Sequence, residues 1–202
     1  PETAAIVEKW QTMTHETLRA QGHEPLEVIG RATETLVGYE AAVRNGPTNL
    51  TQLIVEAFLA EVSDADCVLY PSGSIRIDGV IPPGDVTYFD VVRIFPSGGK
   101  LSVLKSPGAL LRKLLQSNVV GKGTGTFQAL ANITRDESGG WLVKGEPLDD
   151  VRVYKFVYAE IPAANFSYPP FKGSGVAKVH DTRDVRAILE ARFRRDLPRE
   201  GA

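Results

Sequence analysis

Apolar positions along the chain repeat with two periods, and the period changes mark the elements. Over residues 2–20, Ile6, Val7, Trp10, Met13 and Leu18 recur every three or four positions, the stripe of an amphipathic helix. The polar run Gln21-Gly22-His23-Glu24-Pro25 ends it. This helix stands apart from the later elements. It either packs on the core or bridges to something upstream, and the pattern leaves both open. Residues 26–29 and 35–39 predict short strands around Gly30. Gly46 as cap and Pro47 at the first helical position open a second helix, with Leu50, Leu53, Ile54, Ala57 and Phe58 on its buried face.

Cys67-Val68-Leu69-Tyr70 is a continuous apolar run closed by Pro71 and Gly73, which predicts a buried strand, with 74–77 continuing it. Pro82-Pro83-Gly84-Asp85 predicts a turn. A short helix is expected within 86–94, a loop over Phe95-Pro96-Ser97-Gly98-Gly99 and a strand over 100–104. Residues 107–117 predict a helix with Leu110, Leu111, Leu114 and Leu115 inward. A hairpin is expected from 127–134 and 141–144, and a strand over 152–159. Residues 162–175, rich in proline, glycine and aromatics, read as a surface loop. Asp181 or Thr182 is expected to cap a last helix that buries Val185, Ile188, Leu189 and Phe193. Helices and strands mix without strict alternation, so the fold class is α+β, with mixed sheet flanked by helices.

Composition narrows the function classes. The chain has 202 residues, 43% of them hydrophobic and 24% charged, with 23 Lys+Arg against 25 Asp+Glu for a formal charge of −2. That length suits one domain, or one domain with an appendage, at about 150 residues per domain. The near-neutral balance argues against a dedicated nucleic-acid binder. No apolar run approaches the roughly 18 residues a membrane-spanning helix needs. One cysteine, Cys67, precludes an internal disulfide or a thiolate metal cage. The chain starts at Pro1, which reads as a processed chain or an excised fragment.

Familiar catalytic signatures are missing. His15, His23 and His180 are scattered and do not form HExxH, and no GxSxG elbow occurs. Cys67 reads as an inert buried thiol. Gly121-Lys122-Gly123-Thr124-Gly125 lacks the order of a phosphate-cradling P-loop and opens no helix. The pairs Asp64/Asp66 and Asp149/Asp150 read as solvated turn carboxylates, and Arg192, Arg194, Arg195 and Arg199 as a basic end that favours a helix C-terminus. What remains is arginine beside glycine-bearing loops. Arg76 follows Pro71-Ser72-Gly73-Ser74-Ile75, and Arg44 precedes the Pro47 helix. A guanidinium next to closely approachable backbone can hold a phosphate or another anion, although a surface ion pair is the plainer role for each.

The order of these segments resembles the C-terminal domain of the 5′-nucleotidase / UDP-sugar hydrolase family of metallophosphoesterases. The carrying residues are Arg44 to Asn49 with the helix after them, Leu69-Tyr70-Pro71-Ser72-Gly73-Ser74-Ile75-Arg76, Gly84-Asp85-Val86-Thr87-Tyr88 and Phe95-Pro96-Ser97-Gly98-Gly99. Leu104 to Val119, Gly125-Thr126-Phe127, Lys144-Gly145-Glu146-Pro147-Leu148-Asp149 and Tyr154-Lys155 complete the set, which covers about 26–160. Residues 1–25 resemble the helix linking that domain to the family's catalytic domain.

The resemblance implies an interdomain linker helix over 1–25 and a substrate-binding domain over 26–202. It implies a nucleotide or nucleotide-sugar-like ligand, an upstream metallophosphoesterase domain as partner, and an isolated chain that is inactive. The divalent metals are expected in that other domain, with no cofactor or metal here, no nucleic acid and no membrane span. A periplasmic or extracellular location is implied as well. Arg76 matches the arginine of the family's NGGGIR-like motif, Arg44 an upstream arginine, Asn49 the asparagine at the helix start, and Gly98 and Gly99 the glycines after PF. In the family two phenylalanines sandwich the base. Ser97 stands at the first of these positions and Ile161 at about the second, and Pro71-Ser72-Gly73-Ser74 replaces NGGG. The substrate contacts expected are therefore Arg44, Asn49, Arg76, Ser97, Gly98 and Gly99, with no catalytic residue in the chain. Phe166, Tyr168 or Phe171 could supply a substitute ring or pack onto the core. The same departures support a second reading, a non-catalytic binding or interaction module whose nucleotide pocket has decayed or been rebuilt for another ligand or a protein partner.

Overall fold

The computed structural model describes residues 2–160, 171 and 173–197. Its centre is a five-stranded sheet in the order β12-β6-β11-β3-β7, built from β3 (Cys67–Pro71), β6 (Leu101–Pro107), β7 (Gln128–Ala131), β11 (Val153–Ala159) and β12 (Ala177–Asp181). β11 runs parallel to β3 and antiparallel to β6; β7 and β12 add antiparallel edges. The sheet is therefore mixed and the fold α+β.

Both faces of the central strands are covered, which is why they read as unbroken apolar runs. Val68 and Tyr70 of β3 and Val157 of β11 face one core. That core is closed by α3 (Asn49–Glu61), α4 (Tyr88–Ile94), α6 (Val185–Asp196) and the antiparallel ribbon of β1 (Val28–Ala32) with β5 (Gly84–Thr87). Cys67, Leu69, Leu104, Tyr154 and Phe156 face a second core closed by the leucines of α5 (Gly108–Val120). A small sheet of β8 (Ile133–Arg135), β9 (Trp141–Val143) and β10 (Glu146–Pro147) flanks it. β2 (Leu36–Val37) pairs with β4 (Val80–Ile81), and α2 (Glu40–Val43) comes directly after β2.

The predicted strands and helices largely recur, with local corrections. Thr48, not Gly46, caps α3. Its hydroxyl accepts the Thr51 N–H while the Thr51 hydroxyl accepts the Thr48 N–H, so Pro47 lies outside the helix. Residues 74–77 do not extend β3, because a 3-10 turn over Ser72–Ser74 diverts the chain. The expected 127–134 strand breaks at Asn132, φ 58°, so β7 joins the main sheet while β8 pairs with β9. The expected cap at Asp181 or Thr182 is not formed: residues 177–181 are the edge strand β12, and Asp184 caps α6 instead.

α1 (Glu2–Ala20) forms as expected, but Leu18 is its buried apolar residue. Every described side chain from Thr3 to Thr14 is exposed, the predicted stripe included. Its C-terminal end meets α4, where His15 packs edge-on against Phe89 and His23 stacks on Tyr88.

Candidate functional site

Three loops converge at one end of the main sheet. The first leaves β3 at Pro71 and makes the Ser72–Ser74 turn, which presents Arg76. The second is the 95–100 loop between α4 and β6. The third leaves β11, where Glu160 lies. Together they line a cleft of about 630 Å³ that contains Arg76, Ser97, Gly98, Gly99, Lys100 and Glu160. Four of the six predicted contacts, Arg76, Ser97, Gly98 and Gly99, thus meet in one place.

Arg76 is exposed. Its Nη1 donates to the Gly73 carbonyl at 3.3 Å, and no carboxylate among the described residues pairs with it. A guanidinium with free donors beside open backbone can take an anion. Lys100 adds a second cation without an ion-pair partner among the described residues. The Glu160 carboxylate accepts the Lys100 N–H at 3.1 Å.

The other two predicted contacts stand elsewhere. The Arg44 guanidinium pairs with Glu40 at 2.6 Å, and it abuts Gly125. Gly125 in turn accepts the Gly73 N–H at 2.9 Å. Arg44 therefore backs the loop that carries Arg76 and lies outside the cleft lining. The Asn49 carboxamide is committed to backbone: its oxygen accepts the Val37 and Leu50 N–H groups, both at 2.9 Å, and its Nδ2 donates to Thr35 O at 2.8 Å. It ties β2 to the start of α3, which is a structural task.

The shape of the 95–99 loop is set by residues that the sequence pattern does not single out. Asp184 accepts the Gly99 N–H at 2.8 Å through one oxygen and the Arg186 N–H at 2.8 Å through the other. Gly99 O accepts the Val185 N–H at 2.8 Å. The Arg186 side chain donates to Phe95 O at 2.7 Å and to Pro96 O. The turn needs φ +61° at Gly98 and +113° at Gly99, and a Cβ on Gly98 would lie 2.8 Å from the Asp184 carboxylate. Glycine is required at Gly98 on both counts. A carboxylate just ahead of a helix is an ordinary capping signal, but its reach to Gly99, 85 residues back, leaves no local trace.

The cleft floor is aromatic but closed. Phe58, Tyr70 and Phe95 form a three-ring cluster with centroids 4.9 to 6.1 Å apart, and Tyr70 and Phe95 are only 5% and 2% exposed. Burial pushes the Tyr70 phenol up to about 12 and raises the Cys67 thiol as well, so Cys67 is an inert thiol. Phe171 is buried on the opposite face of the sheet, edge-on to Tyr158. Ile161, Phe166 and Tyr168 lie outside the described residues. Among the described residues no three His, Cys, Asp or Glu side chains converge as metal ligands, and no helix is long and apolar enough to cross a membrane. A second groove, about 520 Å³, runs beside β7 past Phe127 and Trp141, but none of the six predicted contacts lines it.

The architecture is thus an α+β domain whose mixed sheet ends in a polar cleft with two cations that no carboxylate among the described residues pairs. The family model for the 5′-nucleotidase C-terminal domain matches residues 28–166, and the chain belongs to that family. Protein UshA of Yersinia enterocolitica is 28% identical over 165 residues, which is 79% of this chain and 28% of that protein. Protein 5NUC of Lutzomyia longipalpis is 36% identical over 105 residues, 46% of this chain and 18% of that one. The solved 5′-nucleotidase precursor of Thermus thermophilus shares the fold, with a TM-score of 0.71 at 21% identity over 97% of this chain and 40% of its own. The chain therefore spans well under half the length of the relatives it matches.

Proposed function

We propose that this chain is the substrate-binding part of a 5′-nucleotidase-like phosphohydrolase, and that it grips a nucleotide or nucleotide-sugar-like molecule by its phosphate-bearing end. The observation that carries this reading is the meeting of Arg76 with the 97–99 loop around one cleft in a domain of this family. Arg76 and Lys100 supply positive charge, and Ser97, Gly98 and Gly99 form one wall. Arg44 supports this arrangement from behind, through Gly125.

The chemistry on this reading is attack of water on a phosphate ester, assisted by divalent metals held in a separate upstream domain. On this reading the ligands to those ions lie in the other domain, and this chain binds and orients the substrate. Residues 1–25 are the linker to that domain and 26–202 the binding domain, and an exported location, periplasmic or extracellular, goes with the family. The bare N-terminal two-thirds of α1 supports a partner on that side: an isolated helix of that length is marginal in water.

The test is calorimetric titration of the chain with AMP and UDP-glucose. Saturable binding that Arg76→Ala abolishes is expected. Absence of saturable binding up to millimolar ligand overturns the reading, and unchanged affinity in Arg76→Ala overturns the role of Arg76. A second reading, a non-catalytic module with a rebuilt pocket, is favoured by Ser97 standing where a stacking ring is expected. It predicts that the chain shows no saturable binding of AMP or UDP-glucose and takes another ligand or a protein partner instead.

A further inference from the structure

We propose that the groove beside β7 docks an extended, acidic and apolar segment of a partner protein, which pairs with the open edge of β7 and sets its carboxylates on Lys122 and Arg135. This surface shares no lining residue with the Arg76 cleft and does not depend on what that cleft holds.

β7 is the outer strand of the main sheet beside β3, and its register decides which of its main-chain groups are free. The Ser72 N–H donates to Phe127 O at 2.7 Å, and Tyr70 and Val68 stand opposite Ala129 and Ala131. In an antiparallel pair alternate residues bond to the neighbour, and those between them point away. Residues 127, 129 and 131 therefore face β3, while Gln128 and Leu130 turn their N–H and C=O outward. The chain itself fills the first of these two places. The Asn118 carboxamide accepts the Gln128 N–H at 2.5 Å and donates to Gln128 O at 3.4 Å, as a neighbouring strand would. No described side chain does the same for Leu130, and two residues further on the backbone turns at Asn132 towards β8. An open edge of this kind is a template for another strand.

The surroundings of the edge select the strand. The groove, about 520 Å³, has Phe127, Leu130, Ile133 and Trp141 along it, with both aromatic rings only half-buried. Its charged groups are Lys122, from the loop after α5, and Arg135, at the end of β8. Both are exposed, and no carboxylate among the described residues lines the groove or pairs with either. The Arg135 guanidinium sits over the Trp141 ring, 4.0 Å from its centre. Contact through the flat face leaves its N–H donors, which lie in the plane, for a carboxylate. A strand with apolar side chains two residues apart lays them on the apolar wall, and flanking Asp or Glu residues meet the two cations. A second copy of this chain fits badly, because pairing β7 with β7 would set cation against cation.

The probe is a blocked peptide, Glu-Val-Thr-Leu-Thr-Val-Glu, which reads the same in both directions and so serves either strand orientation. Its binding is followed by Trp141 fluorescence in a Trp10→Phe background and by hydrogen exchange. Saturable binding below millimolar peptide is expected, weakened at least about fivefold by Lys122→Glu and by Arg135→Glu. Both residues are exposed, so the variants keep the fold, and their thermal melts check this. Exchange at the Leu130 amide should slow about tenfold or more in the complex, while the Ala129 amide, already bonded to β3, changes little. The same peptide with Lys for both Glu residues, and heptaglutamate, should not saturate. No saturation by the acidic peptide up to millimolar concentration overturns the proposal. Equal binding of the lysine peptide or of heptaglutamate overturns it too, as does unchanged exchange at Leu130. Self-association of the chain in sedimentation that alone blue-shifts Trp141 would assign the groove to a second copy and overturn it as well.

Discussion

The first and last described helices invert what their sequences suggest. α1 carries the clearer apolar stripe, yet Ile6, Val7, Trp10 and Met13 are all exposed, Trp10 by 61%. α6 is rich in arginine and has four large apolar residues, yet Val185, Ile188, Leu189 and Phe193 are all buried. Periodicity identifies the face a helix would bury and is silent about whether anything in the same chain covers it. The same contrast separates their roles. α6 lies against α3 and β1, and its N-terminal turn grips the loop that shapes the cleft. α1 touches the domain at one end.

The largest expected effect tests the buried side. Phe193 is fully buried between β1 and α3, so Phe193→Ala should cost about 3–5 kcal/mol of unfolding free energy in urea. A loss below about 1 kcal/mol would mean that α6 is not part of the core. Next comes alkaline pH. Burial holds the Tyr70 phenol near 12 against an ordinary value of 10.0, and the nearby Asp184 carboxylate of the α6 cap adds to the rise. A raised folded value means that the neutral phenol stabilises the fold. This stability is complete below pH 10 and falls away as pH climbs from 10 towards 12, by on the order of 2 kcal/mol. Tyr70→Phe should flatten the alkaline limb of a stability–pH curve, and a limb of unchanged slope would count against this assignment.

Much of this frame is legible in the sequence because it is local. Cys67–Pro71, the leucines of α5 and the 95–99 turn each follow from residues close together in the chain. Arg76, Ser97 and the glycines at 98 and 99, picked out by motif order, do meet in space. What the sequence hides is long-range. The Asp184 and Arg186 hold on the loop spans 85 and 91 residues. β12 is a polar edge strand with most of its side chains exposed, so it carries little alternation to read. Asn49 and Arg44 look like ligand contacts because short-range pattern cannot tell a side chain aimed at a cleft from one bonded to Thr35 O or Glu40. The Asp184 cap offers a smaller and more pointed test. Asp184→Ala removes an N-cap and the acceptor for Gly99, at a cost of about 1–2 kcal/mol. Hydrogen exchange at the Gly99 amide should speed up while amides in β11 keep their protection. Uniform loss across the sheet would show that the cap supports the whole domain and not the cleft loop.

The smallest expected effect falls on α1. With Trp10 exposed, Trp10→Ala should change the unfolding free energy of this chain by no more than about 0.5 kcal/mol. Its fluorescence, isolated in a Trp141→Phe background, should have the red-shifted emission of an indole in water. On the proposed function, joining the chain to an upstream catalytic domain should shift the same indole to the blue, and Trp10→Ala should then weaken the joined protein, because the stripe would have a surface to cover it. A fall of more than about 1 kcal/mol in the chain alone would place α1 against its own domain and erase the contrast with α6. A Trp10 that stays wet in the joined protein would leave the stripe unexplained and remove the support that α1 gives to an upstream catalytic domain.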